Sequence, residues 1–119
     1  MAEPKTYAGK CHCGRVRYDA TVDLGQLIEC NCSHCRRKGF LLTFIPPSQF
    51  TLHAGEDALT DYQFNKKIIH HLFCATCGVE PFARGTMPDG SPAIAINVRC
   101  LEDVDLAALE PMPFDGRNM

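Results

Sequence analysis

Eight cysteines fall in three clusters and one outlier: Cys11-His12-Cys13-Gly14, Cys30-Asn31-Cys32-Ser33-His34-Cys35, Cys74-Ala75-Thr76-Cys77-Gly78, and Cys100 on its own. That is about three to four times what a cytosolic chain of this size carries by chance. Cys74-x-x-Cys77-Gly78 is the spacing with which two thiolates reach one ion from a tight turn. The glycine takes the left-handed conformation that lets backbone N–H groups point at sulfur. Cys11-x-Cys13-Gly14 is the natural other half. Together the two turns give four thiolates in tetrahedral array, a closed structural zinc site that ties the N-terminal strand to the middle of the chain. Lone buried thiols acting as small apolar residues do not account for two glycine-terminated pairs. Disulfides are disfavoured by a reducing compartment and by the strain of a Cys-x-Cys bridge.

Cys30-x-Cys32-x-x-Cys35 offers three thiolates, one fewer than a structural zinc wants and the number a catalytic zinc tolerates. A three-thiolate zinc is a weaker Lewis acid than a three-histidine one, and so suits holding and activating a substrate thiolate better than ionising water. A fourth protein ligand would close the site, with Cys100 first in line and then His34, His70 and His71. Cys100 also reads as a buried small residue ending the last strand. His70 and His71 lie on opposite faces of one strand, so only one of them can face a site. His12 reads as a turn residue. Arg36-Arg37-Lys38 reads either as a solvated run or as an offset to local negative charge, since seven bound thiolates outweigh two zinc ions by three charges, and as a seat for a substrate carboxylate.

These side chains must be positioned by a small domain. The 119 residues fit one unit, 1–119, and Leu, Ile, Val and Phe, 28 in all, are enough for a modest core. Short strands broken by turns are expected at Arg15–Ala20, with Val16, Tyr18 and Ala20 on one face, and then at Leu27–Cys30, Leu41–Ile45 and Phe50–His53. Others follow at Tyr62–Phe64, Ile68–Phe73, Phe82–Gly85 and Ala93–Arg99. Met87-Pro88-Asp89-Gly90-Ser91-Pro92 predicts the reversal of a hairpin. Helix is scarce: one turn over Cys35–Lys38 capped by Ser33 and ended by Gly39, and a short helix over Val104–Glu110 stopped by Pro111. Residues 1–6 and 111–119 read as extended tails, with Phe114 tucked onto the body.

The fold class is therefore mainly β. No apolar run is long enough to cross a bilayer, and the N-terminus lacks the apolar region of a secretory signal, so a cytoplasmic protein with no membrane partner is expected. A net charge of −2 gives no basic excess for nucleic acid.

Gly9-x-Cys11-x-Cys13-Gly14-x-Val16-x-Tyr18, Cys30-Asn31-Cys32-x-x-Cys35-Arg36-Arg37, Phe73-Cys74-x-x-Cys77-Gly78, Asn97-Val98-Arg99-Cys100-Leu101 and Phe114-Asp115-Gly116-Arg117 follow one another in an order that resembles the glutathione-dependent formaldehyde-activating family, also called the centromere protein V family. The resemblance runs from Gly9 to Arg117. It implies a tent-like β fold with two zinc sites, a structural one at Cys11, Cys13, Cys74 and Cys77 and a catalytic one at Cys30, Cys32 and Cys35. It also implies a carbon–sulfur lyase-type activity that joins glutathione and formaldehyde into S-hydroxymethylglutathione. A zinc-stabilised binding module of the same fold, with both sites closed, is the alternative.

Overall fold

The computed structural model describes residues 4–64 and 68–116. Among the described residues there are ten strands, β1 (Lys5–Lys10), β2 (Arg17–Val22), β3 (Ile28–Cys30), β4 (Leu42–Ile45), β5 (Phe50–Ala54), β6 (Leu59–Tyr62), β7 (His70–Cys74), β8 (Phe82–Thr86), β9 (Pro92–Asn97) and β10 (Met112–Phe114), and one α-helix, α1 (Ser33–Lys38). They form a three-stranded sheet ordered β1-β2-β5 and a seven-stranded sheet ordered β10-β3-β4-β9-β8-β7-β6. All pairings are antiparallel except β10 with β3. The fold is mainly β, as the short alternating runs require.

The alternation in β2 sets the core. Val16, Tyr18, Ala20 and Val22 are buried on one face, and the Ile94 and Ile96 pair of β9 meets them with Phe82 of β8. Burying side chains of this size contributes roughly 1.5–3 kcal/mol each. Tyr18 packs against Phe50 and Phe82 with ring centroids 5.4 and 5.6 Å away. It lies opposite Gly9 in the β1–β2 ladder, where a Cβ on residue 9 would overlap its ring. The glycine two positions before Cys11 is there to admit that ring. The Met87–Pro92 reversal joins β8 to β9 as expected, closed by Gly90 N–H donating to Met87 O (2.8 Å).

Several expected boundaries move. The cap of α1 is Cys32, whose sulfur accepts from the Cys35 N–H; Ser33 is instead the first helical residue, and Gly39 ends the helix in the left-handed region as expected. Val104–Glu110 forms only a 3₁₀ turn, Leu106–Ala108, because Asp105 caps it through the Ala107 N–H and Leu109 returns to an extended backbone. β9 stops at Asn97, whose side chain accepts from the Arg99 N–H and turns Val98–Cys100 into a 3₁₀ turn. The strand expected at Tyr62–Phe64 lies earlier, at Leu59–Tyr62, in register with β7. Both expected tails are paired over part of their length. Lys5 and Thr6 belong to β1, opposite Val22 and Thr21. Met112–Phe114 lies parallel to Ile28–Cys30, with Phe114 still 41% exposed. Arg117 lies outside the described residues.

Candidate metal centre

Two turns bring four cysteines together. The first follows β1, with Gly14 N–H donating to Cys11 O (3.3 Å) and Cys11 N–H to Val16 O (3.1 Å). The second follows β7, with Gly78 N–H donating to Cys74 O (2.8 Å) and Cys74 N–H to Val79 O (3.0 Å). Gly14 and Gly78 have φ of 83° and 79°, the conformation that closes each turn onto its sulfurs. Arg15 Nη1 donates to Thr76 Oγ1 (2.8 Å) and straps one turn to the other. Sulfur atoms of Cys11 and Cys13 lie 3.6 Å apart, and those of Cys13 and Cys74 3.7 Å apart. An ion held tetrahedrally at about 2.3 Å from each sulfur sets those separations at about 3.8 Å. The thiols therefore stand where zinc ligands stand, far beyond the roughly 2.05 Å of a disulfide.

N–H groups aimed at sulfur favour the thiolates a metal needs. The Cys77 and Thr76 N–H groups lower the thiol of Cys74. Burial raises that of Cys77, yet hydrogen bonds from the Cys13 and Val79 backbone and from neighbouring thiols bring it down to about 6.

The second group sits where β3 runs into α1. Cys30 ends the strand, Cys32 caps the helix and Cys35 lies one turn on, its thiol pushed well up by burial. Their sulfurs lie within 4.8 Å of one another. Cys32 N–H donates to Cys30 Sγ (3.5 Å) and Cys35 N–H to Cys32 Sγ (3.2 Å). Burial raises the Cys32 thiol, and the Cys35 N–H reverses the balance, leaving it low. Among the described residues no fourth Cys, His, Asp or Glu joins the set. Cys100, first in line for that place, takes a weak hydrogen bond from Asn97 Nδ2 (3.7 Å), and burial pushes its thiol up to about 12. The C-terminal strand covers the group: Asn31 N–H donates to Phe114 O (3.1 Å), Asn31 Nδ2 to Asp115 Oδ1 (3.0 Å), and a Cβ on Gly116 would stand 2.5 Å from Cys30 Sγ.

A third group carries no spacing motif in the sequence. His34 of α1, His71 of β7 and Glu80 present donor atoms within 4.8 Å of one another. His71 is buried and His70 exposed, as the strand's alternation requires. Burial and the neighbouring His71 hold the His34 imidazole below its usual range. Glu80 follows a zinc-type turn in an otherwise apolar stretch, Val79 to Phe82. A carboxylate at such a position was the available signal.

At about 100° per residue, α1 carries Cys32 and Cys35 on one side and His34, Arg37 and Lys38 roughly 140° around the helix from them. The second side forms a wall of an open cavity of about 370 Å³, completed by Tyr62, Phe73 and Glu80. Arg37 Nη1 donates to Ser33 O (2.8 Å) and Lys38 Nζ stands 5.7 Å from the Phe73 ring centroid. Arg36 is exposed and does not line the cavity.

Residues 6–113 match the family model described as "Glutathione-dependent formaldehyde-activating enzyme". A crystal structure of a Rhodobacter sphaeroides protein superposes with a TM-score of 0.79 at 30% identity, covering 89% of this chain and 97% of that one.

Proposed function

The chain belongs to the glutathione-dependent formaldehyde-activating family, and on that footing we propose that it adds a small thiol to a small carbonyl compound, with glutathione and formaldehyde as the leading pair. In the addition an S–C bond forms as the C=O π bond breaks, and the thiol proton ends on the former carbonyl oxygen. Nothing is oxidised or reduced. The reverse is carbon–sulfur cleavage, which makes the activity lyase-type.

Cys11, Cys13, Cys74 and Cys77 hold a structural zinc in this reading, and Cys30, Cys32 and Cys35 a second one. Zinc at the three-cysteine site supplies a positive centre that favours the thiolate form of a bound thiol. The chain's own residues do the rest. Arg37 and Lys38, on the same helix as Cys35, line the cavity and offer two cations to the two carboxylates of the tripeptide. Such partly exposed contacts contribute roughly 0.2–1 kcal/mol each, enough to orient the thiol and too little to hold it alone. The rings of Tyr62 and Phe73 wall that cavity. Orientation of thiol and carbonyl is what the site contributes most, because the uncatalysed addition is already easy.

The observation that carries this reading is a cluster of three thiols where β3 runs into α1, with no fourth Cys, His, Asp or Glu joining it among the described residues, on the same short helix that lends Arg37 and Lys38 to a cavity. Exchange-resolved NMR of hemithioacetal formation tests it. Zinc-loaded protein should accelerate formation from glutathione and formaldehyde, and Cys35→Ser should return the rate to that of buffer. Equal rates for protein, variant and buffer overturn it and favour a binding module.

A further inference from the structure

The His34–His71–Glu80 group has no part in the proposed reaction. The Glu80 side chain is 3% exposed, with Oε2 3.3 Å from His71 Nδ1 and Oε1 3.7 Å from His34 Nε2. A histidine–carboxylate hydrogen bond that has closed is about 2.7–2.9 Å long. The His71 contact is a long hydrogen bond and the His34 contact falls short of one, and among the described residues Glu80 Oε1 and His34 Nδ1 are both buried without a hydrogen-bond partner. Buried carboxylates are kept only when paired or metal-bound, because desolvation without compensation is too costly. The separations suit the second case. Nitrogen and oxygen ligands at about 2.0–2.2 Å around a tetrahedral ion stand about 3.3–3.6 Å apart; the His71–Glu80 separation of 3.3 Å matches that spacing, the His34–Glu80 separation of 3.7 Å lies just beyond it, and one donor atom from each of the three residues lies within 4.8 Å of the others.

We propose that His34, His71 and Glu80 form a third metal site, separate from both cysteine clusters, that takes a divalent transition cation such as Zn²⁺ through two imidazoles and one carboxylate. His34 and Glu80 both line the cavity, so the ion's remaining positions open into it. The Tyr62 ring stacks on His34 at 5.7 Å and the Phe64 ring packs tilted against it at 5.3 Å, and together they cover that side of the imidazole. Two neutral imidazoles and one carboxylate leave a divalent ion with net positive charge, and Arg37 and Lys38 add to it. The shell is therefore completed by an anionic oxygen ligand such as a carboxylate or hydroxide. This donor set is harder than the thiolate clusters and shares no atom with them.

The test uses the full chain loaded with ¹¹³Cd²⁺ and observed by NMR. Thiolate-bound cadmium resonates far downfield of nitrogen- and oxygen-bound cadmium, so each class of site is read separately and loss of the three-cysteine ion would not mask the third. The expected result is a resonance in the nitrogen–oxygen region beside the thiolate signals. Glu80→Gln, which keeps the side-chain volume, should weaken that ion's binding at least ten-fold while the thiolate resonances stay in place. If Glu80→Gln does not fold, the wild-type spectrum decides alone. Thiolate resonances only, or a nitrogen–oxygen ion bound equally well by Glu80→Gln, would overturn the proposal.

Discussion

Gly116→Ala should empty the three-cysteine site and leave the four-cysteine site untouched. The added methyl would stand 2.5 Å from Cys30 Sγ and 3.4 Å from Cys32 Cβ. Carbon and sulfur ordinarily rest about 3.5–4.0 Å apart, so one side must yield by about 1 Å. Metal ligands tolerate only about ±0.2 Å. The C-terminal segment cannot simply lift, because Met112 N–H donates to Leu27 O (2.9 Å) and Phe114 O accepts from the Asn31 N–H (3.1 Å). Residue 116 is not among the positive-φ glycines, so the effect is steric rather than a backbone penalty. Displacing Cys30 by five times the tolerance should weaken metal binding by 10–100-fold or more, on the scale of lost supporting contacts. Cobalt substitution reads it: the sulfur-to-cobalt charge-transfer band should lose about the share of three sulfurs in seven, with melting temperature little changed. A variant with the full band and wild-type affinity would refute the packing of Gly116 against Cys30, and with it the C-terminal cover of the site.

Cys74→Ser should give molten or insoluble protein, because a structural zinc contributes on the order of 10 kcal/mol against a total stability of about 5–15 kcal/mol; circular dichroism and metal analysis check it, and a wild-type melting temperature with unchanged zinc would count against the four-cysteine pairing. Gly9→Ala should destabilise by about 1–3 kcal/mol through overpacking on the Tyr18 ring, measured by urea unfolding, and a loss under about 0.5 kcal/mol would mean that the ring moves freely aside. Burial pushes the Cys100 thiol up to about 12, so near pH 8 almost none of it is the thiolate nucleophile. In zinc-loaded protein at pH 8 it should therefore resist iodoacetamide until the chain is denatured, and Cys100→Ser should keep all bound metal; rapid labelling or metal loss would contradict this.

The sequence makes the cysteine turns readable because the chemistry is local: Cys11-x-Cys13-Gly14 and Cys74-x-x-Cys77-Gly78 specify their own loops, and the glycines show the positive φ this needs. β2 is equally legible, since Val16, Tyr18 and Ala20 alternate and all face the core. What depends on partners far along the chain is not. β1 carries no apolar alternation and is a strand only because β2 lies beside it. Met112–Phe114 holds an exposed Met and Phe and is a strand only by lying parallel to β3. Hydroxyls usually cap helices, which makes Ser33 the expected cap, whereas the Cys32 sulfur takes the Cys35 N–H. Glu80 carries no spacing signal toward His34 or His71, and the three meet only when β7 packs beside α1.

The claim on which the functional reading turns is that Cys30, Cys32 and Cys35 leave room for a substrate thiol. Glutathione titrated into the cobalt-substituted protein tests it directly. Saturable strengthening of the sulfur-to-cobalt band at millimolar glutathione, absent in Cys35→Ser, is the predicted result. An unchanged spectrum across that titration would contradict it and leave a closed, non-catalytic metal site in its place.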